Sequence, residues 1–216
     1  MAKKSFLIIG MGTFGHHLCR ELAKQRCEVM AVDAVAEAVE DVLSLVVSAK
    51  VGDCTKEEVL RSFGIPDFDT CFVCVGSNFL AGLQIISSLK ELGAKHVIGK
   101  VDELVQQKFL LRNGADEVIL PDKDEAVRLA ASVCTDNIFD YIPLTRDYAI
   151  TEVEPLKEWI GKSIAELQIR PVYNLSVLAT KKGDEMFPMP GPNYVFQKGT
   201  HVIVMGHVDA IRKITR

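Results

Sequence analysis

Three absences narrow what this sequence can do. No stretch approaches the roughly 20 consecutive apolar residues that a bilayer-spanning helix requires. The opening Met1-Ala-Lys-Lys-Ser5 leads straight into a strand-like run rather than into the apolar core of a secretory signal. The expectation is a soluble, cytoplasmic chain. No run of Lys or Arg is long enough to form an electrostatic track, and 25 basic against 29 acidic side chains leave a formal net charge of -4. Nucleic-acid binding is therefore disfavoured. Disulfide density is missing as well: Cys19, Cys27, Cys54, Cys71, Cys74 and Cys134 are scattered through apolar sequence, as reduced thiols are. Cys71-Phe-Val-Cys74 has C-x-x-C spacing, but it lies in a strand-like run, where residues three apart point to opposite faces. Neither a second C-x-x-C nor a Cys/His cluster completes a zinc site.

What is present is a regular grammar. About half the residues are apolar (48%), enough for one large core or two modest ones. Phe6-Leu-Ile-Ile9 is followed by Phe14, Leu18 and Leu22 at helical spacing and then by Glu28-Val-Met-Ala-Val-Asp33, a βαβ unit. A helical pattern over Val35, Val39, Val42 and Val46 precedes a short strand at Ala49–Gly52, and Thr55-Lys-Glu-Glu58 reads as a capping box. Further strands are expected at Cys71–Val75, His96–Lys100 and Glu117–Leu120, separated by helices at Phe79–Leu92 and Leu104–Arg112. Six short strands with crossover helices predict a doubly wound parallel sheet, a Rossmann-like α/β fold.

An amphipathic segment from Asp124 to Phe139 serves either as a crossover helix on its own sheet or as a contact surface for another subunit. After Pro143 the pattern changes to short strands and turns: Tyr148–Val153, a second capping box at Ser163-Ile-Ala-Glu166, Leu175–Thr180, a proline-rich loop at Met186–Pro192, and His201–Met205 before a closing helix. Residues 1–143 are expected to form the larger domain and residues 144–216 a smaller α+β domain.

The glycines Gly10, Gly12 and Gly15 give G-x-G-x-x-G between an apolar strand and a helix, and Asp33 ends the next strand about 20 residues on. Gly10 permits the tight turn, Gly12 lets a phosphate approach the backbone, and Gly15 lets helix and strand pack closely. Met11, Thr13 and Phe14 fill the intervening positions. The helix N-terminus offers unpaired N–H groups and a positive dipole end. Asp33 suits the ribose hydroxyls and repels a 2′-phosphate, so an adenosine nucleotide or NAD(H) is expected rather than NADP.

Ligands in such sheets sit at the carboxyl ends of the strands. Gly52-Asp53-Cys54 and Gly76-Ser77-Asn78 occupy two of those ends. Asp53 either accepts from an adenine amino group or serves its turn. Ser77 and Asn78 either contact phosphate or ribose or do the same. Lys100 closes the fifth strand with a cation for the phosphates. Asp122-Lys-Asp-Glu125 is either a Mg²⁺ or Ca²⁺ contact or an acidic first turn favoured by the helix dipole. His16 and His17 lie beside the expected phosphates without a catalytic partner in sequence.

Taken together, Ile9-Gly-Met-Gly-Thr-Phe-Gly15, Val32-Asp33, Gly52-Asp53, Val75-Gly-Ser-Asn78 and Gly114-Ala-Asp-Glu-Val118 with Pro121 resemble the regulator-of-potassium-conductance (RCK) domain of TrkA/KtrA proteins. The smaller domain resembles their TrkA-C domain, so the likeness covers essentially the whole chain. The resemblance implies a non-enzymatic, cytoplasmic regulatory subunit, peripheral on the inner face of the membrane. It would form homodimers that assemble into an octameric ring beneath a TrkH/KtrB-like potassium-translocating subunit. ATP, ADP or NAD(H) would bind as a signal and shift the ring between two conformations.

One departure stands out: some ATP-responsive relatives carry Arg where this chain has Thr13. The resemblance also implies a divalent-cation contact at Asp122 and Glu125. It further implies a cyclic di-AMP site at Ile164, Ile169, Arg170, Tyr173 and Asn174, with the arginine on phosphate and the isoleucines flanking purines. On the residues alone, the segment from Ile169 to Asn174 reads equally as a strand entry with a surface Arg. The rival reading for the whole chain is an NAD-dependent oxidoreductase or a redox sensor using the same cofactor site.

Overall fold

The structure, a computed structural model, describes residues 3–76, 78–134 and 137–215. Within them the chain divides between Asp122 and Lys123 into two compact units.

The first unit is a parallel sheet of β1 (Ser5–Ile9), β2 (Glu28–Asp33), β3 (Ser48–Val51), β4 (Thr70–Val73), β5 (Val97–Lys100) and β6 (Glu117–Ile119). Their order is β3-β2-β1-β4-β5-β6, with every pairing parallel. The strands alternate with α1 (Thr13–Lys24), α2 (Ala36–Glu40), α3 (Glu57–Arg61), α4 (Phe79–Glu91) and α5 (Leu104–Arg112). This strand order is the doubly wound one, and its topological switch lies between β1 and β4.

Alternation along the strands feeds two cores. Leu7, Ile9, Cys71 and Val73 pack with Ile86 and Leu110 on one face, while Ile8, Val29, Ala31 and Cys74 pack with Cys19 and Val42 on the other. Cys71 and Cys74 thus belong to opposite faces, as strand geometry requires. Burial pushes the thiols of Cys54, Cys71 and Cys74 up to about 12 and raises that of Cys19. At pH 8 these four remain protonated and enclosed, so they are poor nucleophiles. With a disulfide reagent at that pH, the native protein should therefore show fast reaction at no more than two thiols, exposed Cys134 and half-buried Cys27. The other four should react only after unfolding. Fast labelling of Cys71 or Cys74 would contradict this packing.

A helix, α6 (Pro121–Val133), has its first two residues in the first unit and the rest in the second, which continues with β7 (Ile138–Pro143), β8 (Tyr148–Val153), α7 (Ile164–Leu167), α8 (Ile169–Tyr173), β9 (Leu175–Lys182), β10 (Glu185–Pro188), β11 (His201–His207) and α9 (Val208–Ile214). The strands form an antiparallel sheet in the order β10-β9-β11-β8-β7. Its core is built on Trp159, Phe196, Leu175, Val202, Val204 and Ile211. Ser163 and Glu166 form the expected capping box: Ser163 N–H donates to Glu166 Oε2 at 2.7 Å, and Glu166 N–H donates to Ser163 Oγ at 3.2 Å.

Several expected boundaries move. The sequence reading divides the chain at residue 143, but Ile138–Pro143 is β7 and pairs with β8, so it goes with the second unit. The helix expected over Asp124–Phe139 starts instead at Pro121 and stops at Val133, because proline suits a first helical position. The helical pattern from Val35 ends at Glu40 and continues as turns. Thr55 does not cap α3. Its N–H and hydroxyl both donate to Asp53 Oδ1, at 3.1 and 2.6 Å, so the helix begins two residues later. The proline-rich stretch supplies β10 on the sheet edge, where proline is tolerated. Among the described residues no helix is long and apolar enough to cross a membrane.

Candidate nucleotide-binding site

At the end of β1 the chain turns through Gly10 at φ +97°, and a Cβ there would stand 2.9 Å from the carbonyl carbon of Cys74. Gly10 N–H donates to the Val32 carbonyl at 2.8 Å and Cys74 N–H to the Ile9 carbonyl at 2.7 Å, fixing the turn between β2 and β4. Gly15 lies in α1, and a Cβ on it would meet the Gly10 carbonyl oxygen at 2.0 Å. Both glycines are demanded by the fold itself.

Gly12 is different. It is the N-cap of α1 in an extended conformation, no side chain caps the helix there, and a Cβ would meet nothing within 4 Å. An uncapped helix N-terminus facing open space is the geometry that receives a phosphate.

Asp33 holds the loop in place: its Oδ2 accepts from Met11 N–H at 2.6 Å and its Oδ1 from Val35 N–H at 2.8 Å. Each carboxylate oxygen retains a further acceptor position for a ribose hydroxyl. Above the loop lies a cleft of about 730 Å³, lined by Gly10, Gly12, Thr13, Phe14, His17, Asp33, Gly76, Lys100, Asp102 and Asp122 among others. A smaller cavity of about 190 Å³ shares Gly10, Asp33 and Val75 with it and adds Gly52, Asp53, Cys54 and Asn78. The combined space is of the size that cofactor sites use.

The fold thus brings together most of the residues singled out in the sequence. Met11 is buried and contributes its backbone N–H, while Gly15 contributes packing. Ser77 lies outside the described residues. Asp53 is held below the usual carboxylate range by the Thr55 hydroxyl and N–H. Asn78 Oδ1 accepts from Ala81 N–H at 3.1 Å to cap α4, which leaves its NH₂ as the donor for a ligand. Cys54 faces the smaller cavity as a buried, protonated thiol.

Asp102 is the cleft residue that the sequence did not single out. Its carboxylate pairs with the Lys100 ammonium, and both lie against Gly76, whose Cβ would stand 2.9 Å from Lys100 Nζ and 3.1 Å from Asp102 Oδ2.

The two further expected sites are less complete. The Glu125 carboxylate is taken by Arg128 in a forked pair at 2.7 and 2.9 Å, and Arg128 also reaches Asp140 at 3.0 Å. Among the described residues no group of three His, Cys, Asp or Glu side chains stands ready for a metal ion. One chain alone does not fit a divalent cation at Glu125. In the second unit Ile169 begins α8, a short helix rather than a strand entry, and its side chain is 2% exposed within the core. It therefore presents no surface to a purine in this conformation. Arg170 and Asn174 are exposed, whereas the Tyr173 hydroxyl donates to Glu158 Oε1 at 2.7 Å.

The strand order, the glycine turn and the acid at the end of β2 define the class: a Rossmann-type nucleotide-binding unit joined to a small antiparallel-sheet unit. Within that class the chain belongs to the TrkA family, residues 6–121 matching the TrkA-N domain and residues 149–216 the TrkA-C domain. It is 31% identical over 214 residues to Ktr system potassium uptake protein C of Bacillus subtilis (strain 168), covering 99% of this chain and 97% of the relative. It is 33% identical over 210 residues to Ktr system potassium uptake protein A of the same organism, covering 97% and 95%. Among solved structures it superposes on the GsuK channel bound to NAD with a TM-score of 0.71 at 16% identity, covering 100% of this chain and 40% of that one. The chain thus spans less than half of that solved chain, and the likeness is one of fold.

Proposed function

We propose that this chain is a cytoplasmic regulatory subunit of a potassium uptake system, in which a nucleotide bound at the glycine turn acts as a signal and undergoes no chemistry. The observation that carries the reading is Gly12, a residue the fold does not sterically require, placed at an uncapped helix N-terminus over a cleft that Asp33 also lines. Near full-length similarity to Ktr potassium uptake proteins supplies the system.

Adenine nucleotides or NAD(H) are the ligands the cleft suits. The partner is a TrkH/KtrB-like membrane subunit, met from its inner face by an octameric ring of homodimers. The solvent-exposed Val127, Leu129 and Val133 of α6, a helix that buries none of its described residues, suit it to a contact between copies. A divalent cation at Asp122 and Glu125 would require Arg128 to release Glu125. Cyclic di-AMP at Ile164, Arg170 and Asn174 would require a partner surface and movement of Ile169. The bound nucleotide shifts the ring only to the extent that it prefers one conformation over the other.

Light scattering with and without ATP, ADP and NADH tests the assembly. The expected result is an octamer whose hydrodynamic size responds to at least one of them. A monomer or simple dimer under every condition would contradict the ring. Steady oxidation of NADH with carbonyl substrates would contradict the absence of turnover.

A further inference from the structure

We propose that Asp102 is an internal anion that competes with a terminal nucleotide phosphate for Lys100, and that this pair sets how much phosphate charge the cleft accepts. The inference rests on the nucleotide reading of the glycine turn and concerns the selectivity of that same site.

The charges lining the cleft are unbalanced for a phosphate site. Among its described residues, Asp33, Asp102 and Asp122 supply three carboxylates, and Lys100 is the one lysine or arginine, with His17 the remaining titratable base. The Lys100 side chain is 14% exposed and its ammonium is already paired with Asp102, whose side chain is 44% exposed. The pair sits over the bare backbone of Gly76 and lines the same cleft as Gly12 and Thr13.

Asp33 is committed to the backbone N–H groups of Met11 and Val35. Phosphates resting on the α1 N-terminus therefore take the N–H donors of the helix and share their cleft with the Lys100–Asp102 pair. A ligand with bridging phosphates only, such as a dinucleotide, leaves the pair intact. A chain ending in a highly charged phosphomonoester must draw Lys100 away from Asp102, leaving a carboxylate beside the new anion. Thr13 adds no positive charge to offset it.

The test is calorimetric titration of the full chain with adenosine, ADP, ATP and NADH in magnesium-free buffer at low salt, comparing the native protein with Asp102→Asn. This substitution keeps the shape and removes the charge. The native protein should favour NADH over ADP and ADP over ATP. The variant should tighten ATP about tenfold and ADP less, while adenosine stays within about twofold. Lys100→Gln should move the other way, weakening ATP more than adenosine. Equal changes for all four ligands in Asp102→Asn, or an unchanged ratio of ATP to ADP affinity, would overturn the inference while leaving the nucleotide site standing. Binding of none of the four by the native protein would overturn both.

Discussion

Gly12→Asp should leave the protein folded and unable to hold nucleotide, whereas Gly15→Ala should damage the fold itself. The two glycines are three residues apart in one turn, yet the structure gives them opposite surroundings. A Cβ on Gly15 would sit 2.0 Å from the Gly10 carbonyl oxygen. That oxygen is backbone, tied into a turn fixed by bonds to Val32 and from Cys74, so α1 as a whole must move away from β1. The cost should be about 3 kcal/mol or more, and a fall in Tm of ~6–12 °C follows for a chain of this length.

At Gly12 the added side chain enters open space, and aspartate is a good N-cap, so stability should change by no more than about 1 kcal/mol. The same carboxylate occupies the helix N-terminus where phosphate would sit and brings like charge to it. Nucleotide affinity should fall by at least ~100-fold. Thermal melts and calorimetric titration of both variants check the pair of outcomes. A Gly12→Asp protein that melts normally and still binds NADH and ADP would remove the glycine turn from the account.

Trp159→Ala should be the most damaging single change in the second unit. Trp159 is fully enclosed. Its ring meets Tyr173 edge-on at 5.0 Å and lies tilted against Phe196 at 5.3 Å. It therefore joins α8 to the segment before β11. Deleting such a side chain costs about 3–5 kcal/mol through lost transfer energy and the cavity left behind. The loss should appear as a lower urea midpoint followed by far-ultraviolet circular dichroism. Amide exchange should quicken through residues 169–174, because Tyr173 loses the surface that positions it. A loss below about 1 kcal/mol would mean that this core is held elsewhere.

The contrast between Gly12 and Gly15 also shows how far local chemistry carries. The glycine turn was legible because its requirements are local: a tight turn, a close helix approach and an open N-terminus are each properties of one residue, and Asp33 follows at the distance a βαβ unit sets. Asp102 was not legible. It enters the cleft because β4 and β5 pair in parallel with Val73 opposite Gly99, which carries the residues after each strand to the same edge although Gly76 and Lys100 are far apart in sequence.

The Phe139-Asp-Tyr-Ile-Pro143 segment was missed as a strand because its alternation is brief and a helical period fits the residues before it. The resemblance implies a ligand surface at Ile169, while its short helix packs the side chain into the core in this conformation. The spacing of Ile169-Arg-Pro-Val-Tyr173 does not say which side faces inward until α8 is packed. Likewise Thr55 had the right residue type for a cap, but Asp53 offered a nearer acceptor for both its donors.

The proposed role of the glycine turn is nucleotide control of potassium movement through a membrane partner. Its most direct test is potassium uptake into vesicles carrying a TrkH/KtrB-like subunit, measured with the native chain and with Gly12→Asp at equal occupancy on the membrane. Uptake should respond to nucleotide with the native chain and lose that response with the variant, which still binds the partner. An unchanged nucleotide response with Gly12→Asp, or none with the native chain across ATP, ADP and NADH, would contradict the account.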